Sequence, residues 1–167
     1  MADGSYKKRL IGAAVPLGAL RGAKSGGVGE FPDLAEFADL CAAMGVGLIQ
    51  LLPVNDTGYQ SSPYFALTAF ALHPLYLRLA DIPEAGGAGG PWAGKIKALA
   101  EQYDKAERFP FEELLRAKIA LLRDIYAAHR QAIAKRAERG GSLAAWIGEN
   151  PWVIEYAVFR RLKEANG

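Results

Sequence analysis

The residue types best suited to chemistry gather in one stretch, Asn55-Asp-Thr-Gly-Tyr59-Gln-Ser-Ser62-Pro63-Tyr64, directly after the apolar run Gly47-Leu-Ile-Gln-Leu-Leu-Pro53. Hydroxyls, amides and two tyrosines leaving the end of a buried strand suit recognition of a polar ligand. Active sites of (β/α)8 barrels are built from loops at the C-terminal ends of strands. A tyrosine ring stacks on the apolar face of a pyranose while its hydroxyl bonds to the rim. Tyr64 is therefore a candidate sugar contact, with Ser62 and the rigid Pro63 setting its position; Tyr59 is a candidate for stacking farther out. Plainer readings stand beside these: Tyr64 as a core-edge residue anchoring the loop, Tyr59 as an exposed loop residue. Asn55 and Asp56 are expected to cap the turn through bonds to backbone amides. Gln50, polar within an apolar strand, is expected to face a barrel interior or a buried network.

Other chemistries fail on spacing. A phosphate loop needs four residues between its glycines and a lysine directly after the second. Gly18 and Gly22 enclose three, and Ala23 separates Gly22 from Lys24. In Gly27-Val-Gly29-Glu-Phe-Pro32 a proline replaces the third glycine of a dinucleotide fingerprint. His73 and His129 lack partners at metal-ligand spacing, and His129 reads as a core-edge histidine on a helix. The 18 acids could be paired in too many ways to nominate a catalytic couple. No metal and no cofactor is expected.

The elements that position the polar loop are legible. Leu10–Val15 reads as a short buried strand, and 18–30 as a glycine-rich loop. A helix starts at Pro32, with Asp33 and Glu36 in its first turn; Leu34, Phe37, Cys41 and Met44 share a face before Gly45 ends it. The run 47–53 reads as a strand covered on both faces. Strand, helix and strand make the βαβ unit of a parallel sheet. Tyr64–Leu72 suits a short buried helix or an extended piece. The stretch Ala85–Gly94, with five glycines and a proline, reads as a mobile linker or loop tip. Phe111–Arg139 predicts one long helix, buried along Leu115, Ile119, Leu122, Tyr126, His129, Ile133 and Ala137. A last helix, capped by Asn150 with Pro151 first, turns Val153, Tyr156, Phe159 and Leu162 inward.

Composition sets the outer limits. Over 167 residues, 51% hydrophobic and 23% charged content describes a globular chain. A net charge of +2 with mixed signs gives no nucleic-acid signature; Lys7-Lys8-Arg9 and Lys135-Arg136 read as solvated faces. The single Cys41 rules out an internal disulfide and reads as an inert core thiol. No apolar run approaches the roughly 18 residues of a membrane span. Gly12, Pro16 and Gly18 interrupt what a signal peptide would need, so a cytoplasmic location and no membrane partner are expected.

The run Gln50-Leu-Leu-Pro-Val-Asn-Asp-Thr-Gly58, then Ser62-Pro-Tyr64, then Ala69-Phe-Ala-Leu-His-Pro-Leu-Tyr76, closely resembles the second strand and following loop of 4-α-glucanotransferases. Gly27-Val-Gly-Glu-Phe-Pro-Asp-Leu34 is similar to the loop and helix upstream in that family. Phe109–Tyr126, with Lys118 and Leu122, and Glu155–Lys163 resemble helices farther on. His73 departs from the asparagine of many members, and Phe65 from a smaller polar residue.

The resemblance implies an α/β fold, with residues 1–80 opening a catalytic (β/α)8 barrel through its first two strands. Residues 81–167 would form a mainly helical insertion. It implies retaining transfer of glucosyl units between α-1,4-glucans, with the nucleophile and acid/base on barrel strands beyond residue 167. The chain is then expected to be inactive alone, to need the remainder of the barrel, and to be prone to self-association at its second strand. A small complete α/β domain, a glucan-binding module without catalysis and a helical interaction protein are the alternatives.

Overall fold

The computed structural model describes residues 10–166; the Lys7-Lys8-Arg9 cluster lies outside them. Two parallel strands, β1 (Gly12–Val15) and β2 (Leu48–Leu51), flank helix α1 (Asp33–Ala43). Gly12 pairs with Leu48 and Val15 with Leu51. Four further helices follow: α2 (Ala93–Asp104), α3 (Phe111–Ala137), α4 (Ser142–Glu149) and α5 (Trp152–Asn166). The βαβ reading holds.

Helix α1 stops where the sequence places its stop. Gly45 takes φ +77°, and Val46 N–H donates to Cys41 O at 2.8 Å while Gly45 N–H donates to Ala42 O at 3.1 Å. That pair of bonds satisfies carbonyls the helix end leaves free. Cys41 is buried, as expected.

Strand β2 departs from its expected surroundings. Ala13, Val15, Ile49 and Leu51 are half-buried, but Gly12, Ala14, Leu48 and Gln50 are exposed. A two-stranded sheet here has only one partly covered face. Gln50, two residues on from Leu48, is exposed on the face that β1 and β2 leave uncovered.

Two apolar clusters hold the helices. Val28 and Leu75 pack with Tyr103, Leu114 and Leu115; Leu79 and Ala85 pack with Leu121 and Ile125. The core therefore joins the loops around the strands to α2 and α3. Ala85 is fully buried, so the 85–94 stretch is not a free linker: its glycines permit two short 3-10 turns that press Ala85 against α3.

Helix α3 has the expected length but a different buried stripe, Leu114, Leu115, Lys118, Leu121 and Ile125. Of the expected stripe, Ile119, Leu122, His129 and Ile133 are half-buried while Tyr126 and Ala137 are exposed. The phase shifts because Lys118, a charge in the middle of the true stripe, finds partners inside. The pattern of α5 is likewise only half met. Val153 and Tyr156 are half-buried, but Phe159 and Leu162 are exposed. Asn150 offers its carbonyl to Val153 N–H, while its side-chain oxygen accepts from the Trp152 indole rather than capping an amide. No described helix is long and apolar enough to cross a membrane.

Candidate functional site

The loop after β2 is tied at its neck and open at its tip. Asn55 and Leu72 form an antiparallel bridge, with Asp56 N–H donating to Ala71 O and His73 N–H to Val54 O, both at 2.9 Å. Residues 57–70 project from this neck. Tyr64 through Leu72, expected as a buried helix or extended piece, forms turns that expose Tyr64, Phe65, Phe70 and Leu72.

Asp56 organises the base of the loop. One oxygen accepts from Gly58 N–H at 2.7 Å, the turn-capping role expected of it, and Gly58 there takes φ +63°. Its other oxygen accepts from the Tyr156 hydroxyl and from Arg160 at 2.6 Å. Burial, and then the bond to Asp56, push the Tyr156 hydroxyl up to about 12. Helix α5 is thereby fastened to a loop 100 residues earlier.

His73 completes the base. Its Nδ1 accepts from Leu75 N–H at 3.1 Å, so Nε2 carries the proton and donates to Gly58 O at 3.2 Å. Burial lowers its pKa more than the nearby Asp56 raises it, which keeps the ring neutral. It is a structural linker here. Among the described residues no group of three or more His, Cys, Asp or Glu side chains gathers to hold a metal.

A second, fully buried network fixes the loop after β1 beside it. Glu30 accepts from Lys118 at 2.5 Å and from Arg78 Nε at 3.0 Å. Arg78 also pairs with Asp33, whose other oxygen accepts from Ser25 at 2.8 Å and from Glu30 N–H at 2.7 Å. Lys118 donates a further bond to Leu75 O at 2.7 Å. Burial draws the Lys118 ammonium below its ordinary value, with Glu30 opposing. The Gly27–Asp33 motif thus makes a clamp rather than a nucleotide loop. A side chain on Gly29 would meet Leu17 O at 2.1 Å, so only glycine lets the two backbones touch.

The four candidate sugar contacts lie on the projecting loop. Tyr64 is 72% exposed, beside a turn in which Phe65 N–H donates to Ser62 O. Ser62 and Pro63 are half-buried. Tyr59, 46% exposed, has the Arg116 guanidinium over one face at 4.3 Å. Of the four, only Tyr59 lines the cleft of about 870 Å3 between this loop, α3 and α5. The sequence reading did not find the Glu30 network or the Asp56–Tyr156–Arg160 link. One local signal for the first was present: a lysine inside the apolar stripe of α3.

A βαβ unit whose second strand releases a loop wired to downstream helices is an α/β arrangement. The family model described as 4-alpha-glucanotransferase matches residues 15–167. The chain is 33% identical over 173 residues to a 4-alpha-glucanotransferase of Oryza sativa subsp. japonica, covering 98% of this chain and 18% of that protein. It is 34% identical over 152 residues to the 4-alpha-glucanotransferase of Chlamydia caviae, covering 91% of this chain and 28% of that one. The crystal structure of amylomaltase from Corynebacterium glutamicum superposes with a TM-score of 0.62 at 22% identity, over 78% of this chain and 21% of that one, and so supports the fold. The chain belongs to the 4-alpha-glucanotransferase family, and it spans between 18% and 28% of the length of these curated relatives.

Proposed function

We propose that this chain contributes the opening of the catalytic (β/α)8 barrel, residues 1–80, and a helical insertion, residues 81–167, to a 4-α-glucanotransferase. The enzyme transfers glucosyl or maltosyl segments between α-1,4-glucans with retention. One observation carries the reading: the family match spans residues 15–167, which include the polar loop after β2. Retaining chemistry uses two carboxyl groups about 5 Å apart, one nucleophilic and one acid/base. Each buried carboxylate among the described residues, Glu30, Asp33 and Asp56, is already engaged by a cation. This favours a nucleophile and acid/base supplied from beyond residue 167.

Within this reading Tyr64 contacts a glucosyl unit near the cleavage point, Ser62 and Pro63 set the turn that presents it, and Tyr59 lies farther along the glucan. The bare face of β1 and β2, with exposed Leu48, is where the remainder of the barrel packs. A cytoplasmic setting fits the proposed substrate, and no cofactor enters the scheme.

The experiment is proton NMR of the products formed from maltotriose by the protein encoded by the whole reading frame containing these residues. New α-1,4 linkages to an added glucose acceptor, much reduced by Tyr64→Ala, support the reading. Formation of β-linked products, or release of sugar to water alone, would overturn it.

A further inference from the structure

Tyr59 is restrained at two levels, backbone and ring. Gly58, just before it, is held at both its amide and its carbonyl: Asp56 accepts from Gly58 N–H at 2.7 Å, and His73 donates to Gly58 O at 3.2 Å. Gln60 N–H donates to Thr57 O at 3.3 Å, and the Thr57 hydroxyl donates to Gln60 O at 2.5 Å, which closes the turn around Tyr59. The two side-chain torsions of the tyrosine are the freedom that remains. Arg116 of α3 restrains them, its guanidinium standing over the ring at 4.3 Å from the centroid. Glu112, one turn earlier on α3, accepts from Arg116 Nε at 3.0 Å and from Nη2 at 2.6 Å with one oxygen. Those donors lie in the guanidinium plane, so Glu112 holds the group by its edge and leaves its face for the ring. The Arg116 and Glu112 side chains are 59% and 56% exposed, so removing either leaves no buried charge behind.

We infer that Arg116, held by Glu112, is a positioning residue for glucan binding: it keeps the Tyr59 ring in the orientation that stacks on a glucosyl unit. The inference rests on the reading of Tyr59 as a glucan contact, and it adds the residue on another element that prepares that contact. A ring ordered before the sugar arrives loses little rotamer freedom on binding, which strengthens association. Tyr59 lies away from the cleavage point in that reading, so its order bears on binding and not on the chemical step. Loss of Arg116 therefore weakens the hold on the glucan and leaves bond cleavage alone. One exposed cation over an aromatic face is worth a change of a few fold.

The test is steady-state transfer from maltoheptaose to glucose by the protein encoded by the whole reading frame, with Arg116→Met, Tyr59→Ala and the two combined. Arg116→Met keeps an unbranched chain and loses the charge; it should raise KM about threefold with kcat unchanged. Tyr59→Ala should raise KM at least as much. Adding Arg116→Met to it should change nothing further, because the arginine acts through the ring. Arg116→Lys should recover part of the loss, since an ammonium also favours the ring face. An unchanged KM in Arg116→Met or in Tyr59→Ala overturns the inference. So does a KM increase that adds in full in the double variant, or a fall in kcat at constant KM. The contact itself is read without turnover from the Arg116 Nε–H signal in proton NMR of this chain. The ring should shift that signal upfield relative to Tyr59→Ala, and equal positions in the two proteins would also overturn the inference. If the unaltered protein transfers nothing while the shift is present, the functional reading fails and the restraint on Tyr59 stands, so the two are told apart.

Discussion

Lys118 and Glu30 stand 88 residues apart in the chain, yet their charged atoms meet at 2.5 Å with each side chain 1% exposed. The pair joins the middle of α3 to the loop after β1, and Lys118 also holds the carbonyl of Leu75 in the loop after β2. One ammonium group therefore sets the relative positions of both strand-end loops.

Replacing one member of such a pair leaves an uncompensated buried charge, at a cost of about 3–5 kcal/mol. Lys118→Met should lower stability by that order, since Glu30 keeps only Arg78 and Leu75 O loses its donor. Urea denaturation measures it. A loss below about 1 kcal/mol would mean that the packing of α3, not the ion pair, fixes the loops.

Gly29→Ala tests the clamp by steric means. Its Cβ would sit 2.1 Å from Leu17 O and 2.8 Å from Leu20 N, which are backbone atoms that cannot turn aside. Marked destabilisation is expected. Gly94→Ala, in helix α2 with open space around it, should instead stabilise by up to about 1 kcal/mol. Thermal melting of the two variants separates them in sign.

The neutral, buried His73 makes stability depend on pH in a defined direction. Its pKa is lowered from 6.5 in the folded protein, so below 6.5 the unfolded chain takes up the proton first. Stability is then full above that value and falls as pH drops through it. His73→Asn should flatten that part of the slope between pH 7 and 5. Parallel slopes for the two proteins would show that His73 does not titrate on unfolding.

Tyr156 should report on Asp56 directly. Its hydroxyl titrates near 12 because it is buried and bonded to that carboxylate. Asp56→Asn should return one tyrosine toward the ordinary value of 10, seen as phenolate absorbance at lower pH. Tyr156→Phe identifies the transition by removing it. Hydrogen exchange at Gly58, whose amide the same carboxylate accepts, should quicken in the Asp56 variant.

The βαβ unit was readable because each of its signals is local. Apolar runs mark the strands, Asp33 and Glu36 mark the start of α1, and Gly45 marks its end. Helix α3 was readable in length but not in phase, because Lys118 looks like a surface residue until Glu30 is placed beside it. Helices α2 and α4 passed unnoticed: α2 follows a glycine-rich stretch that reads as linker, and α4 is only eight residues long. Within the site, the Asx turn at Asp56 could be foreseen from neighbouring residues. Its bonds to Tyr156 and Arg160 span 100 and 104 positions and leave no local trace. The same holds for the cleft beside Tyr59, whose residues come from three separate segments.

The central claim is best tested by incubating maltotriose with the 167-residue chain and, separately, with the protein encoded by the whole reading frame. The latter should give glucose together with longer maltodextrins, and the chain alone no turnover. Turnover by the chain alone would contradict the placement of the catalytic carboxylates beyond residue 167. No transfer by either protein would contradict the assignment of 4-α-glucanotransferase activity.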